Sequence, residues 1–151
     1  MKIYKLTAII AIMVMGLFMT GCDEEKELIV IEGNIPIKTS TLYIVGDATP
    51  AVWDVNKMVL LEVSDEDPLV FIYDGNLERG EMKAYLTQGS WDAPCVRPMT
   101  AGQPISKADN TEAFQLYSGG EDLKWYIMDS GHYILKFDLR NWTLSTPFVG
   151  D

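Results

Sequence analysis

Along residues 41–145, apolar side chains recur at every second position in short runs, and the runs are separated by Gly, Pro, Asn, Asp and Ser. That period of two predicts strands, and the separators predict turns. In residues 41–45, Leu42 and Ile44 alternate with Tyr43 and Val45, giving a strand covered on both faces that ends at the turn signal Gly46-Asp47. Residues 58–63 predict a second strand, 64–68 a loop, 69–73 a strand, and Asp74-Gly75-Asn76 a turn, followed by a short connection at 77–80. In residues 81–87, Met82, Ala84 and Leu86 fall on one face, and Lys83 and Tyr85 on the other. Residues 88–109, rich in Gly and Pro, read as one long loop carrying Trp91 and Cys95; such a loop is usually functional or mobile. Strands are predicted again at 113–117, 124–128, 133–139 and 142–145, with turns at Gly119-Gly120 and at Asp129-Ser130-Gly131. No stretch holds a helical period over several turns, and no internal repeat is visible. Short, regularly spaced strands with turn signals predict an all-β, antiparallel β-sandwich.

The N-terminal part follows different rules. Lys2 and Lys5 precede an apolar run, residues 8–19, that is short for a permanent membrane span, as in a signal peptide. The run closes on Met19-Thr20-Gly21-Cys22, which resembles the lipobox of bacterial lipoproteins. The resemblance implies cleavage before Cys22, acylation of that residue and anchoring in membrane lipid. Residues 1–21 are then leader, and 22–40 comprise the lipidated cysteine, an acidic tether and a lead-in strand or extended linker at 28–31, with a break around Pro36. The run Asp23-Glu24-Glu25-Lys26-Glu27 is a solvated tether. It also resembles the signal that sends lipoproteins of Bacteroides-type bacteria to the outer face of the outer membrane.

The leader holds two of the 12 Lys+Arg and none of the 22 Asp+Glu, so the remaining 130 residues carry a formal charge of −12. A chain of that length forms one domain with a single core. Its negative field repels phosphate backbones and argues against nucleic acid as a partner. With Cys22 acylated, Cys95 has no disulfide partner within the chain, so the fold rests on its core.

Leu42 to Asp54, then Asn76-Leu-Glu-Arg-Gly-Glu-Met-Lys83, then Trp125, Gly131-His-Tyr-Ile-Leu-Lys-Phe-Asp138 and Thr143-Leu144 together resemble one module of the SusE/SusF family of outer-membrane starch-utilisation lipoproteins. The resemblance covers residues 41–151. It implies an Ig-like, carbohydrate-binding-module-like sandwich on a lipid-anchored, surface-exposed outer-membrane protein that binds α-glucans without cleaving them; an outer-membrane glycan importer is a separate expected partner. Val52 departs from the family, which commonly has Gly before the tryptophan, and Met82 and Ala84 flank Lys83 where bulkier aromatics are typical.

A pyranose offers a C–H face that stacks on an aromatic plane and hydroxyls that seek directional hydrogen bonds. Trp53 and Trp91 fall in loops, where binding residues concentrate, and Lys83 lies on the polar face of its strand. By the family resemblance these three form the ligand site. Two other roles stay open from the residues themselves: Trp53 as a plug at the end of the sandwich, and Lys83 as an ordinary solvated strand residue. Trp125 reads as core and Trp142 as edge packing. Gln88, Arg97 and Asn110 are further hydroxyl partners on loop placement alone. The only histidine, His132, has no nucleophile motif near it. Asp65, Glu66, Asp67, Glu121 and Asp122 read as solvated loop charge rather than as a glycosidase pair. Oxygen ligands cluster at residues 64–67 without the spacing of a known calcium loop, and no metal or cofactor is assigned. Two functions are thus expected: a surface lipoprotein that binds polysaccharide, or an accessory lipoprotein of a glycan-uptake complex that binds no sugar.

Overall fold

Alternating residues extend the chain, and each extended segment finds a partner strand. The computed structural model describes residues 39–117 and 119–151. The leader, Cys22, the acidic tether and the strand expected at 28–31 lie outside the described residues. Twelve strands follow in order: β1 (Tyr43–Val45), β2 (Val59–Leu60), β3 (Glu62–Val63), β4 (Val70–Leu77), β5 (Gly80–Tyr85), β6 (Cys95–Pro98), β7 (Gln103–Ile105), β8 (Thr111–Leu116), β9 (Trp125–Ile127), β10 (Gly131–Asp138), β11 (Thr143–Ser145) and β12 (Phe148–Gly150). There is no helix among the described residues.

The strands pair in the order β2-β1-β5-β6-β8-β11-β10-β4-β3. All of these pairings are antiparallel, and β12 joins β10 in the same way. β9 lies beside the first half of β5, and β7 runs parallel to β9. Two segments change layers. The first half of β8 pairs with β11 and its second half with β6. Residues 59–63 pair with β1 through β2 and with β4 through β3. The sheet therefore folds back on itself into a sandwich-like, all-β architecture, with a layer change on either side. Leu42, Ile44, Met82, Ala84 and Val96 come from one layer and Phe71, Leu135, Phe137 and Leu144 from the other, meeting in one core. Trp125 and Phe114 stand at its centre, each edge-on to Phe137. Each such side chain contributes about 1.5–3 kcal/mol by leaving water.

Several sequence expectations are corrected here. Asp74-Gly75-Asn76 is not a turn, because the eight residues of β10 pair continuously from Asp138↔Val70 to Gly131↔Leu77 and hold β4 extended through it. The chain leaves β4 only after Leu77, through Glu78-Arg79 into β5. The expected loop at 88–109 contains β6 and β7, whose short length and prolines hid their periodicity. Residues 58–63 form two strands rather than one, because Leu61 turns into the core between them. Trp142 is a core residue packed on Phe114 at 5.5 Å, not edge packing. Near the acidic loop, Asp67 is occupied by Arg140, which donates to both carboxylate oxygens at 2.9 and 3.0 Å. Those hydrogen bonds hold its pKa down to about 2. Trp125 and Cys95 are buried, and burial raises the Cys95 pKa.

A second, smaller apolar cluster covers the outer face of β1, β5 and β6. Val45, Tyr85 and Cys95 rise from the strands, and Ala51, Met58 and Ala93 close over them from residues 46–58 and 86–94. These two loops carry the exposed tryptophans.

Candidate ligand-binding cleft

The loop that bears Trp53 is fixed by its own backbone. Gly46 N–H donates to Val52 O (2.8 Å), Thr49 N–H to Gly46 O (2.8 Å), and Val52 N–H to Thr49 O (3.0 Å). The Thr49 hydroxyl also donates to Gly46 O. Ala48 N–H reaches Glu81 O, and Asp47 accepts from Glu81 N–H at 2.7 Å, so the loop is stitched to β5. Such close approach needs a glycine: a Cβ on Gly46 (φ +141°) would stand 2.1 Å from Glu81 O.

The loop that bears Trp91 joins β5 to β6 and is closed by Leu86 N–H on Pro94 O. Gly89 N–H donates to Val55 O and Gln88 Nε2 to Asn56 O, tying it to the first loop. The braces bring Trp53 and Trp91 to a centroid distance of 6.3 Å with their planes tilted by 51°. Trp91 in turn meets Tyr85 edge-on at 5.9 Å.

Beneath the rings lies a cleft of about 390 Å³. Trp53, Trp91 and Tyr85 form its aromatic wall, and Glu81, Lys83, Asp122 and Lys124 its charged floor. Trp53 is 36% and Trp91 46% exposed, and Trp53 belongs to neither apolar cluster, so it is not a plug of the sandwich. Lys83 is no ordinary solvated residue either, since its side chain is only 15% exposed. Its ammonium lies 2.6 Å from Asp122 Oδ1 and 5.1 Å from the centre of the Tyr85 ring. Burial disfavours the Lys83 charge, but hydrogen bonds to Asp122 and Tyr85 outweigh burial and raise its pKa. Burial likewise opposes the Asp122 charge, yet the bond from Lys83 prevails and lowers that pKa. Both groups therefore stay ionised at neutral pH. An ammonium has three donors, which leaves capacity for a ligand hydroxyl.

The cleft thus brings together Trp53, Lys83 and Trp91. It does not include the other candidates. Gln88 braces the loops. Arg97 donates to Glu121 O (2.6 Å) and Gly119 O (3.2 Å), and Asn110 bonds Glu112. His132 pairs with Asp74 on the neighbouring strand β4. Sequence reasoning missed Tyr85, Glu81, Asp122 and Lys124. Glu81 and Tyr85 share the face of Lys83 at alternate positions, so that signal was present in the strand pattern. Asp122 and Lys124 arrive from a segment distant in sequence, and nothing local marks them.

Two cleft carboxylates invite comparison with a glycosidase. Lys124 stands between them, 3.8 Å from Glu81 and 3.4 Å from Asp122. A general acid needs a raised pKa, and that of Asp122 is lowered. No protein-family model, curated protein or solved structure gives a significant match to the chain.

Proposed function

We propose that the protein is a surface-exposed outer-membrane lipoprotein, anchored through acylated Cys22, that binds a polysaccharide such as starch or another α-glucan and does not cleave it. The observation that carries this reading is the pair of half-exposed tryptophans held 6.3 Å apart above the ionised Lys83–Asp122 pair. Tilted indole planes offer stacking surfaces to successive pyranose rings, and the ion pair beneath offers a donor and an acceptor to their hydroxyls. The braces between the two loops fix these groups before a ligand arrives, which limits the entropy lost on binding.

The test is calorimetric titration of the full chain, purified in a sugar-free detergent, with maltoheptaose, pullulan and unrelated polysaccharides. Binding to α-glucans is expected, with no release of reducing ends. Trp53→Ala and Trp91→Ala are each expected to lower affinity about tenfold, the loss of one stacking contact, with the fold retained. If none of the polysaccharides binds, the reading falls, and the chain is left as an accessory component of an uptake complex. Release of reducing ends would make the cleft an active site.

A further inference from the structure

A second depression of about 330 Å³ adjoins the cleft. It shares Lys83, Tyr85, Trp91 and Asp122 with the first, and adds Asp92, Cys95 and Tyr117. The two are thus neighbouring parts of one groove. We propose that this part is a second sugar subsite with Tyr117 as its stacking platform, so that the groove takes a neutral oligosaccharide chain rather than a single sugar; the proposal rests on the glycan-binding reading above.

Tyr117 is built for that role. It follows β8 and is 39% exposed, as a platform must be. Its N–H donates to Cys95 O at 2.8 Å, which ties the backbone to β6. The guanidinium of Arg97, itself fixed by Glu121 O and Gly119 O, stacks 4.7 Å from the ring centre. The phenol hydroxyl donates to Gly120 O. An aromatic ring held by such contacts loses little freedom when a ligand packs against it.

Charge defines the ligand class. Lys83 pairs with Asp122, Lys124 with Asp122 and Glu81, and Asp92 adds one more carboxylate to the lining, so the groove holds no surplus of cations for a carboxylate or sulfate. The formal charge of the whole chain, −10, acts in the same direction. Both lysines are already opposite carboxylates, and a neutral chain of hydroxyls is what such paired donors and acceptors read.

The experiment is titration of the full chain in a sugar-free detergent with maltose, maltotetraose and maltoheptaose, for wild type, Tyr117→Ala and Tyr117→Trp. Wild-type affinity is expected to rise with chain length. Tyr117→Ala is expected to leave maltose binding within about twofold and to weaken maltoheptaose about tenfold, the worth of one stacking contact. Tyr117→Trp, which keeps a platform, is expected to retain length dependence, and guards against misfolding of the alanine variant. Wild-type binding without length dependence, or a Tyr117→Ala loss equal for maltose and maltoheptaose, would overturn the second subsite and leave the first standing. No binding of any of the three by wild type would overturn both.

Discussion

Val52 shows how one residue records a backbone demand. It precedes Trp53, sits at φ +51° in the left-handed region and is 55% exposed. A β-branched side chain there costs about 1–2 kcal/mol, whereas glycine adopts the same conformation freely at the expense of about 0.5–1 kcal/mol in the unfolded chain. A glycine here would be free of that strain, which Val52 carries. Val52→Gly is therefore expected to stabilise the domain by about 0.5–1 kcal/mol, read as a melting temperature a few degrees higher. Glycan affinity should not change, since Val52 does not line the cleft. A lower melting temperature would mean that the valine side chain makes compensating contacts.

At the scale of elements, the site depends on how β1 and β5 meet. Pairing places Val45 opposite Lys83 and Tyr43 opposite Tyr85, so the face that carries the floor of the cleft is set by register. A shift by one residue would turn Lys83 inward and Met82 outward, and the buried Met82 and Ala84 forbid it. Gly46 then lets the outgoing loop lie against β5. Gly46→Ala would force the loop away from Glu81, at a cost of about 1–3 kcal/mol in strain. It is expected to lower the melting temperature, to reduce the near-ultraviolet circular dichroism of the Trp53–Trp91 pair and to weaken glycan binding. An unchanged dichroism signal would show that the tryptophan pair does not depend on this approach. The alternation in residues 81–87 was legible because strand period is local. β6 and β7 were not, because four residues ending in Pro98, or three around Pro104, leave too little period to read.

For the whole molecule, charge separates neutral ligands from anionic ones. The chain is acidic, with a sequence pI near 4.4, and the cleft charges are paired. Recognition of a neutral glycan should then be almost independent of ionic strength. Between about 0.1 M and 1 M salt, over which the Debye length falls from about 10 Å to about 3 Å, affinity for maltoheptaose is expected to change by less than about twofold. A steep fall with salt would mean that binding depends on the charges of Lys83, Lys124 and Asp122 rather than on aromatic stacking and hydroxyl hydrogen bonds.

The sequence by itself determined the all-β class, the faces of the strand around Lys83 and the buried state of Trp125, because these follow from local alternation and from the size of an apolar ring. Only the tertiary structure decided that Trp53 and Trp91 form one wall, that Asp122 meets Lys83 from a distant segment, and that β4 runs straight through Asp74-Gly75-Asn76. Each of those outcomes depends on a long-range partner, the other loop, the 122 segment or β10, and no local pattern encodes what a residue will meet across the fold.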